Sequence, residues 1–181
     1  MKVGNISLET VDYMKWKTDE KFDLITIGEA LHYLPGEQTL SKAREMLEDK
    51  GVLAIYGYFL KGVYDDKGKE REDYTRAYNT FLLEKLKPHF AFNLDDLINL
   101  YEDESKYPFS KLFHTQKEVK EVITRTSKEV FIGYLKSLAG YNLYLESGKE
   151  DPIKELEEII QEEEVSIVED HFLYLCKKLE E

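Results

Sequence analysis

A short polar segment that follows an apolar run carries the side chains of this sequence best suited to chemistry. The apolar run at residues 22–27 (FDLITI) is followed by Gly28, Glu29 and Ala30, and then by His32. A glycine allows a ligand or another backbone to approach closely. Glu29 is suited to face a positively charged ligand, although the helix dipole favours a glutamate at a helix start without any ligand. His32 is suited to contact a substrate or accept a proton, but a lone histidine beside an apolar strand is more often a hydrogen-bonded packing residue.

Tyrosine is unusually frequent, with 13 in the chain. Tyrosine rings exclude water and their hydroxyls donate hydrogen bonds, so they suit the walls of a small-molecule pocket. The candidates for such walls are Tyr56, Tyr58, Tyr134, Tyr141 and Tyr144. Tyr134 and Tyr141 are seven positions apart, which places them on one face of a continuous helix. A pair with this spacing fits a hydrophobic core as well as a pocket, and both interpretations stay open.

The sequence lacks the residue motifs of several other enzyme classes and of metal sites. There is no GxSxG, no HExxH and no glycine-rich phosphate loop with its lysine, which excludes the common hydrolase, metalloprotease and nucleotide-phosphate sites. His32, His89, His114 and His171 lie far apart in the sequence, so no metal site is predicted. The single Cys176 has no cysteine partner for a disulfide or a metal motif, and we expect it to be a buried bystander.

The composition of the chain argues against nucleic acid and membranes as binding partners. A formal net charge of −12 repels phosphate backbones, and the basic residues form no stripe, so nucleic acid is not expected as a ligand. No apolar run approaches the roughly 20 residues that span a bilayer, and the N-terminal MKVGNISLET has no apolar signal core. We therefore predict a cytoplasmic protein without membrane contact.

The first part of the chain reads as alternating strands and helices. Residues 6–11 form a short, alternating apolar run that ends in Asp12, and residues 22–27 form a continuous apolar run. Both runs predict strands, and the second is predicted to be buried on both faces. A helix is predicted over 37–50, with a further strand at 51–60. This order is typical of a parallel α/β sheet. We expect 22–27 and 52–56 to be adjacent parallel strands joined by the helix.

The rest of the chain is predicted to be mainly helical. Segment 61–73 is charged and loop-like. Helices are expected at 74–86 and 94–101, from a cap at Thr126 or Ser127 through Tyr141, and at 151–163 after an aspartate cap. Strands are expected at 119–124 and 165–175.

Two stretches resemble one enzyme superfamily. FDLITIGEALHYL (22–34), followed by LSKAREMLEDKGVLAIYGY (40–58), resembles the fourth-to-fifth-strand region of class I S-adenosylmethionine-dependent methyltransferases. FIGYLKSLAGYNLYL (131–145), followed by Asp151 and Pro152, is similar to the lid of the trans-aconitate methyltransferase-like subgroup. Tyr33 and Tyr56 stand where that subgroup usually has tryptophan. The resemblance extends from about residue 5 to the end.

The resemblance implies roles for individual residues. Asp12 would accept a hydrogen bond from the adenine amino group and the Tyr13 backbone N–H would reach a ring nitrogen, although a strand-ending aspartate is also common in turns. Gly28, Glu29 and Ala30 would pass beneath the sulfonium and amino-acid end of the cofactor. The implied substrate-binding residues are His32, Tyr33, Tyr56, Tyr58, Tyr134 and Tyr141. No catalytic residue is implied, because the sulfonium is already activated and methyl transfer needs mainly proximity and alignment.

The family's cofactor-binding beginning has no counterpart here. A glycine-rich GxGxG-like turn and an acidic residue that binds the ribose are both absent. The resemblance therefore implies a partial Rossmann-like α/β fold that lacks its N-terminal strands and carries a helical lid insertion. We expect residues 1–60 to be the second half of the core, 61–164 the lid and substrate region, and 165–181 a terminal edge strand pairing antiparallel with 119–124. The chain is then a fragment of a longer protein or a shortened relative.

Two functions follow from the resemblance. The first is a small-molecule methyltransferase, with a carboxylate as one candidate acceptor, that uses S-adenosylmethionine when the absent half is supplied and is inactive alone. The second is a catalytically dead, methyltransferase-like interaction subunit. In the second case a protein partner or a second copy would cover the exposed sheet edge, because apolar surfaces and unpaired edges seldom stay free in water.

Overall fold

The computed structural model describes residues 2–179, in which strands and helices alternate. The strands are β1 (Lys2–Val3), β2 (Ile6–Ser7), β3 (Phe22–Gly28), β4 (Leu47–Tyr64), β5 (Phe113–Ser127) and β6 (Glu164–Lys178). The α-helices are α1 (Gly36–Met46), α2 (Glu72–Asn79), α3 (Leu94–Ile98), α4 (Phe109–Leu112), α5 (Lys128–Ser137), α6 (Ala139–Glu146) and α7 (Ile153–Ile159). Short 3₁₀ turns cover Leu31–Tyr33 and Lys87–His89, and Thr80–Leu86 is π-helical.

A mixed four-stranded sheet with the order β3-β4-β6-β5 organises the molecule. β3 and β4 run parallel, with register from Leu24 opposite Val52 to Gly28 opposite Tyr56. β6 runs antiparallel to both β4 and β5. The expected parallel pair joined by a helix is confirmed, and so is the antiparallel pairing of the C-terminal strand with β5. The prediction that this strand lies at the edge of the sheet is wrong, because β6 also pairs with β4 and β5 forms the edge. The fold is α/β, as predicted.

β3 is covered by protein on one face only. Ile27 is buried and Ile25 packs against the core, whereas Leu24 is 58% exposed and Thr26 is also exposed. The prediction of a strand buried on both faces is therefore wrong. A continuous apolar run cannot distinguish these cases, because the number of covered faces depends on elements distant in sequence.

The predicted strand at residues 6–11 is also wrong. Only Ile6–Ser7 is a strand, and it pairs antiparallel with Lys2–Val3 in a hairpin separate from the main sheet. Gly4 between the two strands has a φ of +62°, a backbone conformation that glycine adopts readily. The chain from Leu8 to Asp12 has no strand structure, so Asp12 does not end a strand of the sheet.

Two strands are longer than the sequence indicated. β4 continues to Tyr64, into the segment expected to be a charged loop, because Gly62, Val63 and Tyr64 pair with β6. β5 begins at Phe113 and also pairs with β6 along its length. The predicted helix at 37–50 ends at Met46, where Leu47 turns extended with a ψ of 145° and begins β4. Pairing with a long neighbouring strand overrides the weak local preference of these charged segments.

The helical region is more divided than expected. The predicted 74–86 helix begins at Glu72 and becomes π-helical from Thr80, and α3 stops at Ile98. Ser127 does cap α5, accepting a hydrogen bond from the Val130 N–H at 3.2 Å. Leu138 is extended, with a ψ of 133°, and separates α5 from α6. Helix α7 is shorter than predicted, although Asp151 caps its start by accepting from the Ile153 N–H at 3.0 Å.

Aromatic packing fixes one face of the sheet near the ends of the parallel strands. Phe172 and Tyr174 lie on the same face of β6, with Tyr101 at 5.5 Å from Phe172 and Phe109 at 4.7 Å from Tyr174, between ring centroids. All four rings are buried. Complete burial of a side chain of this size stabilises the fold by about 1.5–3 kcal/mol. This cluster holds Tyr101 in place beneath the site described next.

Across residues 2–179, no helix has both the length and the apolar character that crossing a bilayer requires.

Candidate functional site

A cavity of about 340 Å³ opens where the parallel strands end. Glu29 follows β3 directly, and Tyr58 lies two residues beyond the last parallel pair on β4. The remaining wall comes from the 3₁₀ turn with His32, from α2 and the π-helical segment after it, from the loop after residue 89, from α3, and from α5 and its junction with α6. Lining residues from these segments include His32, Phe90, Phe92, Tyr134 and Leu138.

Glu29 is held in an unusual backbone conformation at the rim of this cavity. Its φ is +49°, a left-handed value that costs a non-glycine residue about 1–2 kcal/mol. Two hydrogen bonds to β4 fix it: the Glu29 N–H donates to the Tyr56 carbonyl at 3.0 Å, and the Tyr58 N–H donates to carboxylate Oε1. Backbone strain of this kind persists where surrounding contacts determine it, and it is frequent at functional sites.

Gly57 makes room for the Glu29 carboxylate. A methyl group at Gly57 would lie 2.1 Å from Glu29 Oε1 and 2.8 Å from the Phe172 ring. Partial burial raises the pKa of Glu29 above its ordinary value, and so does the charge of Glu169, while the Tyr58 N–H and His171 lower it. Burial is the largest of these effects. Glu29 thus has a raised pKa while it remains exposed to solvent at the rim.

His32 is a buried, neutral side chain. It is 9% exposed, and its Nδ1 is 2.7 Å from the Tyr101 hydroxyl. Its ring centroid is 4.2 Å from that of Phe92. Burial lowers the pKa of His32 to about 4, against a smaller opposing effect of Asp96. The side chain thus combines hydrogen-bonded packing with a surface on the cavity.

Two tyrosine hydroxyls at the cavity, those of Tyr78 and Tyr134, stay protonated. Burial, followed by the neighbouring Tyr58, raises the pKa of Tyr134. The Tyr78 hydroxyl is fully buried and donates to the Leu60 carbonyl at 2.8 Å, and burial raises its pKa well above the ordinary value. The Tyr58 ring stacks on His171 with centroids 5.6 Å apart. The Tyr134 hydroxyl can donate a hydrogen bond to a ligand but supplies no charge, whereas the Tyr78 hydroxyl is already bonded to Leu60.

The structure brings together only some of the predicted substrate residues. His32, Tyr33, Tyr58 and Tyr134 line the cavity, Tyr33 with 58% of its surface exposed. The other two predicted residues, Tyr56 and Tyr141, are absent from the lining.

Tyr56 is 48% exposed and lies on the open face of the sheet, where its ring packs over Gly28. Tyr141 is buried on α6, and its hydroxyl donates to Asp151 Oδ1 at 3.0 Å. Burial raises the pKa of Tyr141 to about 12. The break at Leu138 ends the continuous helix that would have placed Tyr141 on the face of Tyr134. Tyr144, the remaining wall candidate, is buried on α6 outside the cavity.

Asp12 and Tyr13 are placed outside this cavity as well. Asp12 is exposed and organises a turn, accepting from the Met14 N–H at 2.9 Å and pairing with Lys15 at 3.1 Å. Tyr13 packs beside α1, where its ring lies 4.8 Å from Lys42 Nζ. Burial raises the pKa of Tyr13 to about 12. The contacts of Asp12 are those of an aspartate that stabilises a turn.

Four aromatic members of the cavity wall were not predicted from the sequence. They are Phe59, Tyr78, Phe90 and Phe92. The signal for Phe90 and Phe92 was available: two phenylalanines within three residues of a non-periodic segment after Pro88 have no helix or strand face to explain them. Apolar rings in a loop pack against something distant in sequence, here His32 and each other.

The charge of the lining is negative. Glu29 contributes a carboxylate, and the lining includes no lysine or arginine. In the part of the chain that the structure describes, no three histidine, cysteine, aspartate or glutamate side chains are grouped to hold a metal ion. The site therefore offers a carboxylate, neutral hydroxyl donors and aromatic surface.

Comparison with known proteins identifies the fold. No family model matches the chain, and no curated protein matches it. Among solved structures, the "putative type II methyltransferase" of Anaeromyxobacter dehalogenans aligns with a TM-score of 0.62 at 15% identity, over 87% of this chain and 65% of that one. The chain thus spans slightly less than two thirds of that protein. A "putative methyltransferase" of Bacillus halodurans aligns with a TM-score of 0.44 at 18% identity, over 93% of this chain and 70% of the other.

The first of these likenesses shows that the chain has the Rossmann-like α/β fold of a methyltransferase structure.

Proposed function

We propose that this chain is the acceptor-binding part of an S-adenosylmethionine-dependent methyltransferase that acts on a small molecule. The observation that carries the proposal is the aromatic cavity at the carboxyl ends of β3 and β4, in a fold shared with a methyltransferase structure. Ligands of open α/β sheets bind outside the carboxyl ends of parallel strands. The volume of about 340 Å³ lies within the range of small-molecule sites.

The loop after β3 is suited to contact the cofactor. Gly28 is exposed, so a ligand can approach its backbone, and Ala30 adds a small side chain beside it. Bound S-adenosylmethionine supplies a methyl group already activated by the sulfonium. The residues of this chain would orient the acceptor, exclude water with the rings of Tyr58 and Tyr134, and donate hydrogen bonds from their hydroxyls.

A carboxylate is one candidate acceptor within this proposal. The lining offers such an anion neutral tyrosine hydroxyls but neither lysine nor arginine. Inactivity of the chain by itself is also part of the proposal, because no glycine-rich turn and no ribose-binding acidic residue follow a first strand in the sequence.

We expect the chain alone to bind S-adenosylmethionine weakly. Each lost hydrogen bond to a buried polar group of the ligand costs about 1–3 kcal/mol, so losing two or three weakens binding by roughly a thousandfold or more. Isothermal titration calorimetry checks this expectation. A micromolar dissociation constant for the chain by itself would contradict it.

Nuclear magnetic resonance of the ¹⁵N-labelled chain tests where the cofactor binds. Addition of S-adenosylmethionine should shift the backbone signals of Gly28, Glu29 and Ala30. The shifts should be reduced in Gly28→Ala, because the added methyl group would lie 2.7 Å from the Tyr56 ring and force that ring to move over the loop. Gly133→Ala is the matched control, because nothing lies within 4 Å of a methyl group at that position. No shift in the loop, or shifts confined to other parts of the chain, would refute the proposed cofactor contact.

A second candidate function is that of an inactive interaction subunit, and the open sheet edge favours it. Within residues 2–179, β3 pairs with β4 alone. Leu24 and Tyr56 are 58% and 48% exposed on the same face of the sheet. An apolar face next to an unpaired edge favours a partner or a second copy of the chain.

Sedimentation velocity tests whether a second copy of the chain binds to this face, because it distinguishes a dimer from a monomer. If this face joins two copies, Leu24→Lys should shift the chain from dimer to monomer. Val119→Lys is the matched control, since Val119 is exposed to a similar extent on the opposite edge strand β5. A wild-type chain that remains monomeric at high concentration would refute the self-association form.

A further inference from the structure

We infer that the cavity between Glu29, Tyr58 and Tyr134 binds an organic cation, so that the methyl acceptor is an amine that enters as an ammonium group. This group must lose one proton, to the Glu29 carboxylate or to water, before its nitrogen can accept a methyl group. The inference rests on the proposed function for the role of the cavity, and it assigns the chemical class of the acceptor. A carboxylate and aromatic rings together are the usual surroundings of a bound ammonium group.

Unbalanced charge supports the inference. Glu29 Oε1 accepts from the Tyr58 N–H, but across residues 2–179 the structure places no hydrogen-bond donor on Oε2. Glu29 also forms no ion pair with any lysine or arginine of that range. Other carboxylates of the range form eleven ion pairs with lysine or arginine and one contact with histidine. A carboxylate that has lost water gains most from a cationic ligand.

The remaining ionisable groups near the cavity do not supply that positive charge. His32 lines the cavity but is neutral at physiological pH, because burial lowers its pKa to about 4. Glu169 adds a second negative charge, as shown by its effect on Glu29 and Tyr134. His171 lowers the pKa of Glu29, but it is exposed, does not line the cavity and lies 3.1 Å from Glu169.

Aromatic surface supplies the second half of a cation site. The rings of Tyr58, Phe92 and Tyr134 line the same cavity as Glu29. The negative face of an aromatic ring attracts a cation within about 6 Å of its centroid, and the attraction strengthens when water is excluded. A carboxylate ligand would instead meet Glu29 as a like charge, with neutral hydroxyls as its donors.

Three ligands of one shape test the inference directly. Choline is the cation, its isostere with carbon in place of nitrogen is the neutral probe, and tert-butylacetate is the anion of similar size. Each is titrated into the ¹⁵N-labelled full chain, and binding is followed from the backbone signals of Glu29, Tyr58 and Tyr134. We expect choline to bind at least about fivefold more tightly than its neutral isostere, and tert-butylacetate to bind least.

Variants connect the preference to Glu29. Glu29→Gln should weaken choline binding by about fivefold or more and remove the difference between choline and its isostere. Glu118→Gln is the matched control, because Glu118 is an exposed glutamate of β5 outside the cavity, and this variant should bind choline as the wild type does. Thermal unfolding of both variants confirms that they fold.

Three results would overturn the inference: no binding of choline, equal binding of the neutral isostere, or tighter binding of the anion. Unchanged choline binding in Glu29→Gln would overturn the role of the carboxylate. None of these measurements requires methyl transfer, so the chain can bind choline even if it never contacts S-adenosylmethionine, and the converse also holds.

A competition experiment decides whether the cavity binds the methyl acceptor or the positively charged sulfonium group of the cofactor. S-Adenosylmethionine carries that charge and S-adenosylhomocysteine lacks it. If the cavity holds the acceptor, neither compound should displace choline. Displacement by S-adenosylmethionine, but not by S-adenosylhomocysteine, would assign the cavity to the sulfonium and overturn the assignment to an acceptor amine.

Discussion

The neutral state of His32 makes the stability of this protein sensitive to acid. His32 has an ordinary pKa of 6.5, and burial lowers this value to about 4 in the folded chain. As the pH falls, the unfolded chain therefore takes up this proton first. The stability linked to neutral His32 is fully present above pH 6.5 and is lost as the pH falls towards 4.

The magnitude follows from the difference between the two pKa values. One pKa unit corresponds to about 1.4 kcal/mol, so the full effect of His32 is about 3 kcal/mol, of which about 2 kcal/mol is lost between roughly pH 7.5 and 5. His32→Gln has no ionisable group at this position, and its free energy of unfolding should fall by about 2 kcal/mol less than that of the wild type over this range. Urea denaturation at both pH values, followed by circular dichroism, measures the difference.

A second variant tests the physical cause. Tyr101→Phe removes the hydroxyl that lies 2.7 Å from His32 Nδ1 but keeps the ring that covers it. Because burial is the main cause of the lowered pKa, Tyr101→Phe should retain the pH dependence of the wild type while losing about 1 kcal/mol at every pH. Equal pH dependence in wild type and His32→Gln would refute the reasoning.

Three further predictions concern the backbone around the site and the helix that lines it. Gly57→Ala should destabilise the fold by about 1–3 kcal/mol in urea denaturation, since the new methyl group would meet Glu29 and Phe172; Gly133→Ala, in open space on α5, should not be destabilising. At position 29, whose φ is +49°, Glu29→Gly should be more stable than Glu29→Ala by about 1 kcal/mol, and an alanine variant of equal stability would argue against strain. Ser127→Ala should cost about 1 kcal/mol by removing the cap of α5, measured by thermal unfolding, and an unchanged midpoint would contradict the cap.

Hydrophobic pattern alone predicted several elements correctly. The apolar run before Gly28 formed β3, and Leu40 and Ala43 gave α1 a buried face, because a strand or helix repeats its side-chain directions locally. The cap of α5 was predicted at Thr126 or Ser127, and the structure selects Ser127, whose hydroxyl accepts from a backbone N–H three residues away. Local geometry of this kind depends only on residues that are close in sequence.

The cavity depends on contacts that no local pattern records. His32 and Tyr101 are hydrogen-bonded across 69 positions, and Phe92 joins His32 from a loop. Tyr141 does not line the cavity as predicted, because the chain becomes extended at Leu138 and ends the helix there. Chain direction and distant packing decide such placements.

Sequence by itself therefore determined the α/β class, the parallel pair of β3 and β4, and the position of Gly28 and Glu29 at its carboxyl end. Tertiary structure alone decided that residues 2–7 form a separate hairpin, that one face of β3 is open, and that the Glu29 carboxylate rests against Gly57. The physical reason is range: a periodic pattern specifies which residues share a face of one element, whereas strand partners, uncovered faces and charge balance arise only when segments distant in sequence are packed together.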